Sequence, residues 1–309
     1  MHLIETIIPI FVIIFMGCAA RYKGMITPEF LGPANRIAYY LAIPAMIFRS
    51  ISKGSLKEDF HPDVLAVTVG TLLLFFILVW LACLTARIRP KQFGTFLQTC
   101  FHGNLGYIGL AVAYYFLGDQ GLVRASILAG FVMIVQNFLA VLALQYWSAG
   151  IPAKNRIQSI VLKVLFNPVI LSAMAGILFS LSGLPLPLVI AQCLDILDGL
   201  ALPLSLLLIG ASLSFDLMRS RMILLLCSSM MKLILLPGLG FGIYHLLDIS
   251  PQNFVPGLIV LASPSATITY VMAKEMNGDA EFAVAAISLS TLFSAITFTL
   301  WLHITLPGV

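Results

Sequence analysis

Long apolar runs recur along this chain, each bounded by charge, glycine or proline. Ten such segments lie at 3–20, 33–51, 64–86, 92–117, 121–147, 158–181, 187–213, 221–246, 253–275 and 281–305. A helix needs about 20 apolar residues to cross the hydrocarbon core of a bilayer. Backbone surrounded by lipid must pair its own N–H and C=O groups, which restricts spanning structure to helices or closed barrels. Ten helices would use about 200 residues of the 309 present, so no extramembrane catalytic module fits. Composition agrees: 60% of residues are apolar and 10% charged, against about 25% charged in soluble domains, and mean hydropathy is +1.04. The expectation is an all-α polytopic membrane protein with ten transmembrane helices.

Charge sets the direction of threading. The loops after segments 1, 3, 5, 7 and 9, with adjoining helix ends, carry Arg21, Lys23, Arg36, Arg87, Arg89, Lys91, Lys154, Arg156, Lys163, Arg219, Arg221 and Lys274; the opposite face carries only Arg49, Lys53, Lys57 and Arg124. An excess of Lys and Arg marks the cytoplasmic side, so both termini are expected outside. The first run has no basic n-region and reads as a retained helix, not a cleaved signal. Scattered cations with a net charge of +4 form no nucleic-acid patch. Cys18, Cys83, Cys100, Cys193 and Cys227 are odd in number, widely spaced and set in apolar runs, which indicates packing; no disulfide framework, metal site or cofactor is expected.

An offset of 159 returns matched features. Pro9 falls on Pro168, Gly24 on Gly183, Leu41-Ala42-Ile43-Pro44 on Leu200-Ala201-Leu202-Pro203, and Asn104 on Ser263; with one residue of slippage Gly118-Asp119 meets Gly278-Asp279. Each half holds five segments, an odd number, so the second half enters the membrane with opposite orientation. The expected organisation is a 5+5 inverted repeat: 1–147 as the first repeat, 148–157 as a cytoplasmic linker and 158–309 as the second repeat. Segments 4 and 9 are interrupted at matching places, by His102-Gly103-Asn104-Leu105-Gly106-Tyr107-Ile108-Gly109 and by Ser263-Pro264-Ser265-Ala266-Thr267. Such interruptions survive in a membrane when buried in protein or lining a cavity, and in transporters with inverted repeats they mark the substrate site near the midplane. Fresh helix N-termini suit an anion and C-termini a cation.

With Gly103-Asn104-Leu105-Gly106-Tyr107-Ile108-Gly109, the run from Pro203 to Leu213, Lys232-Leu233-Ile234-Leu235-Leu236-Pro237, and Ala262-Ser263-Pro264-Ser265-Ala266-Thr267 followed by Gly278-Asp279, the chain resembles the auxin efflux carrier family in its compact bacterial form, which includes malonate and other organic-anion transporters. The resemblance implies a scaffold of helices 1, 2, 6 and 7, a transport domain of helices 3–5 and 8–10 in which 4 and 9 cross, carrier-type movement of organic anions, and a homodimer formed through the scaffold. Plant members carry a long hydrophilic loop between the halves; residues 148–157 are all that stands there in this chain.

The candidate substrate-binding residues are Asn104, Gly106, Tyr107, Ser263, Pro264, Ser265, Thr267 and Lys232. Lys232 lies roughly 18 Å into segment 8 at 1.5 Å per residue, where a central Lys costs at least about 2.5–3.5 kcal/mol to insert. It reads as an anion counter-charge or a proton-coupling group, with a structural ion pair or a snorkelling side chain as the bland alternative. The candidate ion-coupling residues are Lys232, His102, Gln136, Asn137, Asp195 and Asp198. His102 beside the first break titrates near neutral pH when unperturbed. Asp195 and Asp198 share a helix face and read as proton carriers, as partners of Lys232, or as residues of an outer vestibule. Ser288, Ser290 and Thr291 flank the presumed crossing.

These features describe a secondary active transporter of a small organic anion, a carboxylate or auxin-like acid, working by alternating access with protons or sodium as coupling ion, in a bacterial inner membrane. A passive channel or a ligand-binding membrane receptor is the alternative. No Gly-Lys-Ser or Gly-Lys-Thr of a P-loop and no His-Glu-x-x-His is present, so neither ATP-driven pumping nor zinc proteolysis is expected.

Overall fold

The computed structural model describes residues 2–53, 59–85, 90–145, 166–214 and 221–305. The expected linker 148–157, the start of the sixth segment, and Lys57, Arg87, Arg89, Lys154, Arg156, Lys163 and Arg219 lie outside the described residues. Within them the chain forms α1 (His2–Tyr22), α2 (Pro28–Ile37), α3 (Ile43–Lys53), α4 (Pro62–Thr85), α5 (Pro90–Phe101), α6 (Leu110–Gln145), α7 (Pro168–Ser182), α8 (Leu188–Ser212), α9 (Met222–Met230), α10 (Leu236–Leu246), α11 (Pro251–Ala262), α12 (Ile268–Glu275) and α13 (Ala280–Thr305). Three π-helical turns, Ala38–Ala42, Leu105–Gly109 and Met231–Leu235, join α2 to α3, lead into α6 and join α9 to α10.

Proline opens several of these helices, where its missing N–H costs nothing. At α7 the start is reinforced by Asn167, whose Oδ1 accepts the N–H groups of Val169 and Ile170 at 2.9 and 3.4 Å, and Gly183 ends the helix in the left-handed region at φ 66°.

Among the described residues, five stretches are long and apolar enough to cross a membrane, judged by length and composition: α4, Leu105–Leu144, α8, Met222–Leu246 and α13. The ten runs of the sequence divide differently here for physical reasons. Segments 4 and 9 break into short legs. The second leg of segment 4 runs on into segment 5 through Gly118, whose φ of 69° and ψ of −162° are not helical. Segment 2 is divided by a π turn ahead of Pro44, which lacks the N–H of a regular turn.

The backbones of α1 and α8 approach each other closely at two glycines. Gly17 faces the Leu207 backbone and Gly210 the Ile14 backbone, so closely that a Cβ at either position would overlap carbonyl atoms. Small residues at a helix contact are the usual means of packing in lipid. α3 packs on α7, where Gly176 accommodates Ile51, and is tied to α8 by Arg49, which donates through Nε and Nη2 to Asp195 at 2.6 and 3.0 Å.

Prolines inside helices leave carbonyls without donors, and side chains from other helices supply them. Pro237 deprives the Leu233 carbonyl of its partner four residues on; Trp301 Nε1 fills it at 2.9 Å. Pro256 does the same to Gln252, whose carbonyl accepts from Arg124 Nη1 at 3.3 Å. Arg124 also pairs with Asp59 at 3.3 Å, just ahead of α4. A second ion pair joins Arg221 at the start of α9 to Asp279 at the start of α13. The Asp279 N–H donates to Thr95 Oγ1 of α5 at 2.9 Å, and its Oδ1 accepts the Phe282 N–H at 3.1 Å.

Five described residues adopt positive φ: Gly24, Gly118, Gly183, Asp248 and Asn277. Gly24 and Gly183 are 159 residues apart, and so are Gly118 and Asn277. The turn residue after the second break is thus Asn277 and not Gly278, and the one-residue slippage read from the sequence disappears.

Candidate functional site at the crossing of two interruptions

Residues 101–113 and 254–266 are buried without exception, so both interruptions lie inside the protein and away from lipid. α5 ends at Phe101, and Asn104 at φ −79°, ψ 71° precedes the next turn. α11 ends at Ala262, and Ser263 turns extended at φ −58°, ψ 135°. Between these ends the two stretches run antiparallel and pair at Gly103 and Ser265. The Asn104 N–H donates to the Pro264 carbonyl at 2.7 Å, and the Ala266 N–H to the His102 carbonyl at 2.9 Å. The crossing that the family resemblance implied is here a two-bond ladder in which each break satisfies the other.

Side chains complete the accounting of backbone groups. Gln136 of α6 grips Gly103 on both sides: its Oε1 accepts the N–H at 3.1 Å and its Nε2 donates to the carbonyl at 3.2 Å. Ser290 of α13 accepts the Ser265 N–H at 3.1 Å, while Ser265 Oγ donates to the Thr99 carbonyl at 2.8 Å. Ser263 Oγ donates to the Ile259 carbonyl at 2.8 Å, and Lys232 Nζ to the Leu261 carbonyl at 2.7 Å. Gly109 lies opposite Ser263, and a Cβ there would stand 2.6 Å from Ser263 Oγ, so a larger residue would have to turn that hydroxyl away from the Ile259 carbonyl.

This pairing corrects one part of the sequence reading. The N–H groups of Gly103, Asn104, Ser265 and Ala266 are spent inside the protein and do not face a ligand. The donors left are those ahead of the first intrahelical bonds. On one side these are Gly106 and Tyr107, preceding the bond from Ile108 to the Asn104 carbonyl; on the other they are Thr267 and Ile268, preceding the bonds of Thr269 and Tyr270. Asn104 adds its own amide: Nδ2 is buried without a protein acceptor. Gly106 lies toward α3 and α6, with Ile43 and Met133 the nearest side chains to its Cβ position, and the Tyr107 hydroxyl donates to Asn35 Oδ1 of α2 at 3.4 Å.

Of the residues singled out in the sequence, Asn104, Gly106, Tyr107, Ser263, Pro264, Ser265, Lys232, His102 and Gln136 are together at the crossing, and Thr267 opens α12 beside it. His102 Nδ1 lies 3.2 Å from Gln98 Nε2. Asn137 spends its amide in its own helix, donating to the Met133 carbonyl at 2.7 Å. Asp195 is held by Arg49 and by Lys53, the latter at 3.3 Å, and does not pair with Lys232. Asp198 follows on the same helix and makes no hydrogen bond or ion pair with the crossing. Asn35 escaped the sequence reading because it sits at the edge of segment 2. Gln98 escaped because it precedes the visible break. Among the described residues no group of three or more His, Cys, Asp or Glu could hold a metal ion.

Non-helical backbone kept buried at the centre of an apolar helical chain defines a class: integral membrane proteins that reserve such a centre for function. The family model described as membrane transport protein matches residues 2–302, and the chain belongs to that family, the auxin efflux carrier family. An "Uncharacterized transporter" of Methanothermobacter thermautotrophicus is 27% identical over 301 residues, covering 96% of both chains. A "Putative malonate transporter" of Rhizobium meliloti is 26% identical over 306 residues, covering 98% of this chain and 95% of that one.

Proposed function

We propose that this protein is a secondary active transporter of a small organic anion, a short carboxylate or an auxin-like acid, which it moves by alternating access at the expense of a proton or sodium gradient. The observation that carries this reading is the donor set around the crossing: the Asn104 amide, buried and without a protein acceptor, beside the first N–H groups of two helical legs. A carboxylate offers these donors the acceptors they lack, and helix N-termini favour negative charge. The relative named for malonate makes that dicarboxylate the first cargo to try.

The cycle requires two bodies. In our reading α1, α2, α3, α7 and α8 form the scaffold, while α4–α6 and α9–α13 form the transport domain. The Tyr107–Asn35 bond then spans the boundary and is remade in each cycle. The equal spacing of two pairs of left-handed turn residues, Gly24 with Gly183 and Gly118 with Asn277, supports a 5+5 inverted repeat, and the distribution of Lys and Arg supports both termini outside. We place the protein in a bacterial inner membrane as a homodimer through the scaffold.

Proteoliposomes loaded with unlabelled malonate, other short carboxylates or indole acetate test this by counterflow of the labelled acid. Saturable counterflow, with KM raised tenfold or more in Asn104→Ala, is expected. Flux that never saturates identifies a channel, and binding without flux a receptor; either overturns the proposal.

A further inference from the structure

Two helices end at the crossing, and each end leaves carbonyls that carry partial negative charge. Their fates differ. At the end of α5 the acceptors are met by neutral donors only: Ser265 Oγ on Thr99, the Ala266 N–H on His102 and Gln136 Nε2 on Gly103. At the end of α11, Ser263 Oγ takes Ile259 and the Asn104 N–H takes Pro264, but the Leu261 carbonyl accepts from Nζ of Lys232, a side chain that carries a positive charge when protonated. The residue 159 positions before Lys232 is Leu73, so the charge belongs to one half alone.

Lys232 is completely buried, and among the described residues no carboxylate pairs with it. It sits in the π turn Met231–Leu235, a widened turn of the kind found at functional positions. Its Nζ is 3.5 Å from the place a Cβ would take on Gly103. The ammonium therefore lies against both interruptions and is met on one side by a helix-end carbonyl. In broken-helix carriers such ends and unwound carbonyls coordinate the coupling cation.

We propose that Lys232 is a tethered cation occupying the place where an exchangeable sodium ion would bind at the end of α11, so that the transport cycle runs without sodium. The inference rests on the carrier reading above and narrows its coupling ion to the proton. A sodium ion and an ammonium cannot share one carbonyl site at contact distance.

Two measurements on the purified full-length protein test it. In thermal melts the wild type is expected to be equally stable in sodium chloride and in choline chloride of the same ionic strength. Lys232→Ala is expected to melt lower and to recover saturably with added sodium or methylammonium. In counterflow the wild type is expected to exchange acid at the same rate with sodium absent. Saturable stabilisation of the wild type by sodium, a sodium requirement for exchange, or a Lys232→Ala protein that responds to neither cation would each overturn the proposal. Should Lys232→Ala not fold, the wild-type melts and sodium-free counterflow decide alone. Should no acid be exchanged at all, the transport reading fails while the melts still decide the occupancy of the cation place.

Discussion

Trp301 donates its indole N–H to the carbonyl of Leu233, 2.9 Å away in another helix, and that carbonyl is the one Pro237 leaves without a helical donor. The two residues form one device. Trp301→Phe should cost about 1–3 kcal/mol by stranding a buried acceptor. Pro237→Ala restores a backbone N–H four residues after Leu233, so the Trp301 substitution should cost about 1 kcal/mol less in that background. Melting temperatures of the four proteins of this cycle measure the coupling; additive effects would show that Trp301 serves packing alone.

The contact between α1 and α8 has no room for a side chain at Gly17 or Gly210. Alanine at Gly210 has to push the Ile14 backbone away, at a cost of about 1–3 kcal/mol or more. Gly70, inside α4, has open space around its Cβ position, and Gly70→Ala should stabilise by roughly 0.5–1 kcal/mol through helix propensity. Opposite shifts in the melting temperature of the detergent-purified proteins are the expected result.

Gln136 holds both backbone groups of Gly103 with one amide. Gln136→Leu keeps a side chain of similar bulk but strands the buried Gly103 N–H, at about 1–3 kcal/mol, and leaves the Gly103 carbonyl with the Leu105 N–H alone. Because those groups define the first interruption, counterflow should fall at least tenfold even in protein that remains folded. Gln136→Glu retains an acceptor for the N–H but loses the donor to the carbonyl, and should fall between wild type and Leu.

Much of this arrangement was legible in the sequence, because glycine, asparagine and proline inside an apolar run are anomalies with few explanations. Both breaks follow from that kind of anomaly, the burial of Lys232 from a lone charge inside an apolar run, while the crossing was implied by the family resemblance. What escaped is carried by backbone: the Leu261 carbonyl under Lys232 and the mutual pairing of the two interruptions have no side-chain signature. Partnerships across long separations escaped for a similar reason. Asp195 reads as a candidate partner of Lys232 until Arg49, 146 positions earlier, is seen to hold it. Asn137 reads as a site residue by its place beside Gln136, yet its amide is used within its own helix.

Asp279 performs two jobs with separate oxygens. Oδ2 pairs with Arg221, while Oδ1 accepts the Phe282 N–H at the start of α13. Asp279→Asn keeps an oxygen for the helix start but loses the charge, so its cost is that of the ion pair alone. Asp279→Ala loses both, and capping residues replaced by alanine cost about 0.5–2 kcal/mol. The alanine protein should therefore be less stable than the asparagine protein by that margin, and Arg221→Gln should add little to Asp279→Asn because the pair is already broken. Thermal melts of the three single variants and the double variant read this directly; equal stability of the Asn and Ala proteins would remove the capping role.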